Sequence, residues 1–70
     1  MDEVNFLIEK AESKLNSAKI LFENGVYDDA VSRAYYCMYY AAKALLSLKD
    51  IHPRTHYGVL SQFVKTGIKI

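Results

Sequence analysis

One cysteine in 70 residues, Cys37, leaves no internal disulfide to staple the fold, which suits a reducing compartment and removes the small secreted scaffold from consideration. The sequence also lacks any run near the roughly 20 apolar residues that a membrane span needs. Its densest stretch, 30–48, is interrupted by Ser32, Arg33, Lys43 and Ser47. The start, with Asp2 and Glu3, has neither the basic opening nor the apolar centre of a signal peptide, so the expected location is cytoplasmic, with no membrane contact. Repeats, low-complexity tracts, strand-like alternation, Gly-rich phosphate loops and serine-nucleophile elbows are all missing, which leaves all-α as the one supported class.

Charge is scarce in clusters rather than in total. Residues 1–29 hold seven acids against three lysines, a net of −4, whereas residues 30–70 hold six basic residues against Asp50 alone, a net of +5. No group of five or more like charges occurs, so the signal for nucleic acid is weak on charge alone.

What is present is helical. Val4, Leu7, Ile8, Ala11, Leu15, Ala18, Leu21 and Phe22 recur at three-and-four spacing and line one helix face, with Asn24-Gly25 suited to its end. Asp28-Asp29 can cap a second helix that runs without glycine or proline to about Lys49, and Pro53 breaks the pattern. Thr55 can cap a third helix, over which Tyr57, Val59, Leu60, Phe63 and Val64 form an apolar face and Gly67 supplies a stop, with Ile68-Lys69-Ile70 trailing off. The expectation is one domain, 1–70, of three helices at about 3–24, 28–49 and 55–66. The middle helix is apolar over most of its circumference and is the hub of an up-down bundle. Within it, Ala34, Tyr35, Cys37, Met38 and Tyr39 are expected to point into neighbours, whereas Asp29, Ser32, Arg33, Tyr36, Tyr40, Lys43 and Ser47 share a narrow polar stripe.

The stretch YDDAVSRAYYCMYYAAKALLSLKDIHPRTHYGVLSQFVKTG resembles the core of the HEPN domain, in its small prokaryotic subgroup with an S-R-A-Y-Y helix, a short loop and T-H-x-G-V. Ser32 to Tyr36, Ala41 to Leu46, Thr55, His56, Gly58, Val59 and Phe63 carry the match. The resemblance implies a helical bundle that dimerises and is often encoded beside a minimal nucleotidyltransferase. It implies a partner module of a toxin-antitoxin-type pair that binds nucleotide or RNA. The alternatives are a metal-independent ribonuclease toxin and a non-catalytic dimerisation module. The R-x4-6-H ribonuclease motif is not present: Arg54 and His56 have one residue between them, and Arg33 lies far upstream of His52. The balance therefore leans against an enzyme, with Arg54 and His56 as the weak catalytic candidates. Longer relatives carry one or two further helices, so a chain that stops at Ile70 is expected to expose an apolar face and to oligomerise.

Each candidate has an ordinary counterpart. Arg33, Tyr36, Tyr40 and Lys43 can grip phosphate and offer rings to bases, but a half-buried dimer interface, which also favours Tyr and Arg, weighs more. His52 and His56 are separated by Pro53 and lack companions for a metal shell, so no metal or cofactor is expected. His56 is better read as a residue of a capping region than as a base, and Cys37 as a packed small hydrophobe. Asp28 and Asp29 point about 100° apart and suit capping rather than a carboxylate pair.

Overall fold

Every apolar position of the first periodic segment falls within one continuous helix, α1 (Asp2–Glu23), followed by α2 (Tyr27–Leu48) and α3 (His56–Gly67) in the computed structural model. The structure describes residues 2–67, with side chains through 65; Ile68-Lys69-Ile70 lies outside the described residues. Each helix boundary agrees with the sequence reading to one residue, and no strand occurs among the described residues.

The two helix ends inside the chain use the same device. Gly25 has a left-handed backbone, φ 78°, its N–H donates to the Phe22 carbonyl at 3.1 Å, and the Val26 N–H donates to the Leu21 carbonyl at 2.9 Å. These are the paired bonds of a Schellman motif, which satisfy carbonyls that the helix leaves free. Asn24 Nδ2 donates to the Ile20 carbonyl at 2.7 Å. At the end of α2, Asp50 takes the glycine's place at φ 60°, donating to Ser47 at 3.0 Å, while Ile51 donates to Leu46 at 2.9 Å. A Cβ at Gly25 would meet nothing within 4 Å, so Gly25→Ala isolates the backbone cost. It should lower stability by about 1 kcal/mol, and Gly25→Asn by less, as read from urea unfolding midpoints.

Two helix starts differ. Thr55 caps α3 as its chemistry suggests, with the Gly58 N–H donating to Thr55 Oγ1 at 2.9 Å. The expected capping by Asp28-Asp29 does not occur: α2 begins one residue earlier, Val26 is its N-cap without a side-chain bond, and both carboxylates sit in the first turn. There they still suit the positive end of the helix.

The hub role of α2 holds, since it packs against both α1 and α3 while those two make no contact with each other among the described residues. Val4 and Leu7 of α1 meet Ala44, and Tyr39, Ala42 and Leu46 of α2 meet Val59 of α3. Tyr40 packs against both groups, while Ile51 and Phe63 close the second. Alanines at the α2 contacts permit close approach of the helix axes. Two expected core residues are corrected. Met38 is 66% exposed and Tyr35 is exposed as well, because α1 and α3 cover only two of the three sides of an apolar-rich helix. No helix among the described residues is long and apolar enough to cross a membrane.

Candidate functional site

The two turns of α2 from Tyr36 to Lys43 face the start of α3, because the 49–55 connection is short and Val59 anchors α3 on Leu46 and Tyr39. That docking delivers His56 onto the tyrosines. Its ring stacks on Tyr39 with centroids 4.0 Å apart and an interplanar angle of 27°, and its edge meets Tyr36 at 6.0 Å. Tyr36 contacts Tyr35 at 5.4 Å and Tyr40 at 6.5 Å, and Tyr39 contacts Tyr40 edge-on at 5.3 Å. Lys43 places Nζ 5.9 Å from the centre of the Tyr39 ring, within reach of a cation–π attraction. Four tyrosines, a histidine and an ammonium thus form one connected surface cluster across two helices.

Within it the sequence-derived residues separate by role. Tyr36 and His56 are exposed; Lys43 and Tyr40 are half-buried, and Tyr40 is committed to packing. Arg33 is exposed and lies against Ser17, Ile20 and Leu21 of α1, on the far side of Tyr36 from Lys43. Arg54 is exposed two residues before His56. The structure therefore joins His56, one of the two weak catalytic candidates, to the α2 stripe. It leaves His52 out: His52 Nε2 lies 3.0 Å from Asp50 Oδ1, an exposed local pair. No group of three or more metal-ligating side chains occurs among the described residues.

Tyr39 is the member that sequence reasoning assigned only to packing. It is buried, yet it is the plate on which His56 lies and over which Lys43 reaches. Tyr36, Tyr39 and Lys43 follow three-and-four spacing, so they share a face; that spacing was the available signal. Chemically, the cluster offers an exposed ring edge, hydroxyls, an imidazole and flanking cations. This set suits a planar base beside a phosphate better than it suits an apolar ligand.

A family model described as HEPN domain matches residues 4–69. The chain is 53% identical over 62 residues to Putative toxin MJ0605 of Methanocaldococcus jannaschii, which covers 89% of this chain and 46% of that protein. It is 51% identical over 67 residues to Putative toxin MJ0142 of the same organism, covering 96% and 46%. It is 53% identical over 62 residues to UPF0332 protein PH1297 of Pyrococcus horikoshii, covering 89% and 44%. The chain spans about half the length of these curated relatives. No solved structure matches it.

Proposed function

The chain belongs to the HEPN domain family, and on that premise we propose that it is a toxin-like helical partner module that pairs with itself and with a nucleotidyltransferase and binds RNA or nucleotide through the cluster at the α2–α3 junction. The observation that carries the binding reading is His56 held between Tyr36 and Tyr39 with Lys43 alongside. Arg33 stands one turn before Tyr36 on α2 and Arg54 two residues before His56, both exposed, and Tyr40 packs against the core group that contains Tyr39. Rings without a hydrogen-bonding code favour single-stranded RNA or mononucleotides over a fixed duplex sequence. Two relatives at more than half identity bear the name of toxins, which is consistent with an RNA-directed role.

Fluorescence anisotropy with a labelled single-stranded RNA of about twelve nucleotides tests this, a length on the scale of single-strand sites. Tyr36→Ala should raise Kd about tenfold through lost stacking, and Lys43→Ala by a similar factor. Binding that ignores both substitutions removes the cluster from the function.

A second reading, metal-independent RNA cleavage, is favoured by one feature: His56 is exposed and its ring is held in orientation by Tyr39, as a proton-transfer group requires. In that case cleavage persists in excess chelator and disappears in His56→Ala. Intact RNA at large protein excess would eliminate it, leaving the binding module.

A further inference from the structure

The imidazole of His56 is held in place from both ends of its turn. Thr55 Oγ1 accepts from the Gly58 N–H at 2.9 Å, and a Cβ on Gly58 would stand 3.0 Å from Thr55 Oγ1 and 3.1 Å from Pro53 Cβ, so the turn closes this tightly around a glycine. Val59, fully buried, then seats α3 on Tyr39 and Leu46. The ring that results lies on Tyr39 at 4.0 Å, yet His56 as a residue stays exposed. Imidazole is also the side chain that, as a class, changes charge near neutral pH.

What surrounds it is aromatic or positive. From α2 come Tyr36, Tyr39, Tyr40 and Lys43, with Arg33 one turn before Tyr36, and the connection adds Arg54 two residues before His56. The carboxylates lie elsewhere. Asp50 is the only acidic side chain in residues 30–70, and its Oδ1 is 3.0 Å from Nε2 of the other histidine, His52. Asp28 and Asp29 precede Tyr36 by seven residues or more, roughly 10 Å along α2. The remaining acids are on α1, which makes no contact with α3 among the described residues.

Lys43 Nζ and the His56 ring share the Tyr39 ring, at 5.9 and 4.0 Å from its centre, so they stand at most about 10 Å apart, close enough to repel at 0.1 M salt. A proton on His56 gains from the Tyr39 π-face but meets an ammonium and no resident carboxylate. A phosphate laid between Lys43 and His56 supplies the missing counter-charge, because it accepts hydrogen bonds from both. We propose that binding of single-stranded RNA at this cluster is coupled to uptake of one proton by His56, which makes the imidazole a pH-gated phosphate contact beside Lys43. The coupling rests on the binding reading given above and adds a residue and a condition to it. Its sign follows from the charges: phosphate favours the imidazolium, so protons favour the bound state, and affinity rises as pH falls.

Anisotropy of the 70-residue chain with a labelled oligouridine of about twelve nucleotides tests this, since uracil takes up no proton in the range used. Between about pH 8 and about pH 5.5, Kd should fall about tenfold, the value of one added charge-assisted contact. The slope of log Kobs against log salt should steepen by about 0.7 over the same interval, as one further phosphate contact requires. His56→Gln should bind at both pH values as the unsubstituted chain does at the higher one, and His56→Arg should bind tightly at both. His52→Gln should keep the full pH response, because that histidine is paired with Asp50. RNA binding that is flat in pH, or a pH response that survives His56→Gln, overturns the coupling and leaves the binding reading standing. No RNA binding at either pH overturns both.

Discussion

Leu46→Ala should lower stability by about 3 kcal/mol, enough to shift the thermal midpoint by roughly 15 °C in a chain of this size. Leu46 is 1% exposed and Val59 is fully buried, and together they attach α3 to α2. The substitution removes three heavy atoms from the point where two helices meet, and α1 and α3 make no contact with each other among the described residues. Total stability for a 70-residue chain is roughly 4–10 kcal/mol, so the loss is a large fraction of the whole. Amide exchange should accelerate most in α3, which packs on α2 alone among the described residues, and least in the α1–α2 hairpin. Val64→Ala on the exposed side of α3 is the comparison, with an expected change under about 1 kcal/mol. Equal effects of the two substitutions would contradict the view that Leu46 and Val59 form the joint.

The same joint explains how far the sequence could be read. Helix positions were legible because Val4, Leu7, Ala11, Leu15 and Ala18 hold a three-and-four period and because Gly25 and Pro53 interrupt it. Family membership was legible for a different reason, the co-occurrence of an S-R-A-Y-Y helix, a short loop and T-H-x-G-V. What periodicity could not separate was Tyr39 from Met38. Both lie on an apolar-rich helix, and which side is covered depends on where α1 and α3 dock, a tertiary choice that an all-round apolar wheel leaves open. Met38 proved to be outside and Tyr39 inside. Likewise Asp28 and Asp29 read as caps because carboxylates suit that position, yet the Val26 N–H donates the Schellman bond to the Leu21 carbonyl, and α2 starts immediately after it. The contact between His56 and Tyr39 spans seventeen positions and a proline-containing loop, so no local rule could anticipate it. The stripe residues Tyr36 and Lys43 were legible as a surface, but its third side, supplied by α3, was not.

If the cluster binds RNA as proposed, raising sodium chloride from about 50 to about 200 mM should weaken binding roughly twentyfold. The arithmetic follows from counterion release: three cations, Arg33, Lys43 and Arg54, on a single strand give a slope of about −2 in log Kobs against log salt, and a fourfold rise in salt then costs about 1.3 log units. The substitutions should separate in their salt behaviour. Lys43→Ala removes one ionic contact, so its slope falls by about 0.7 and the same salt change weakens it only about sevenfold. Tyr36→Ala removes a ring and no charge, so its curve should run parallel to that of the unsubstituted chain at uniformly weaker binding. Lys43 begins with its ammonium near the Tyr39 ring, and turning toward a phosphate exchanges that cation–π contact for an ionic one. Its contribution should therefore be smaller than that of Arg33, which has no aromatic partner among the described residues. The decisive comparison is between the two slopes. If Tyr36→Ala flattens the salt dependence as much as Lys43→Ala does, the two residues do not divide stacking from phosphate contact, and the division of roles across the α2 stripe fails.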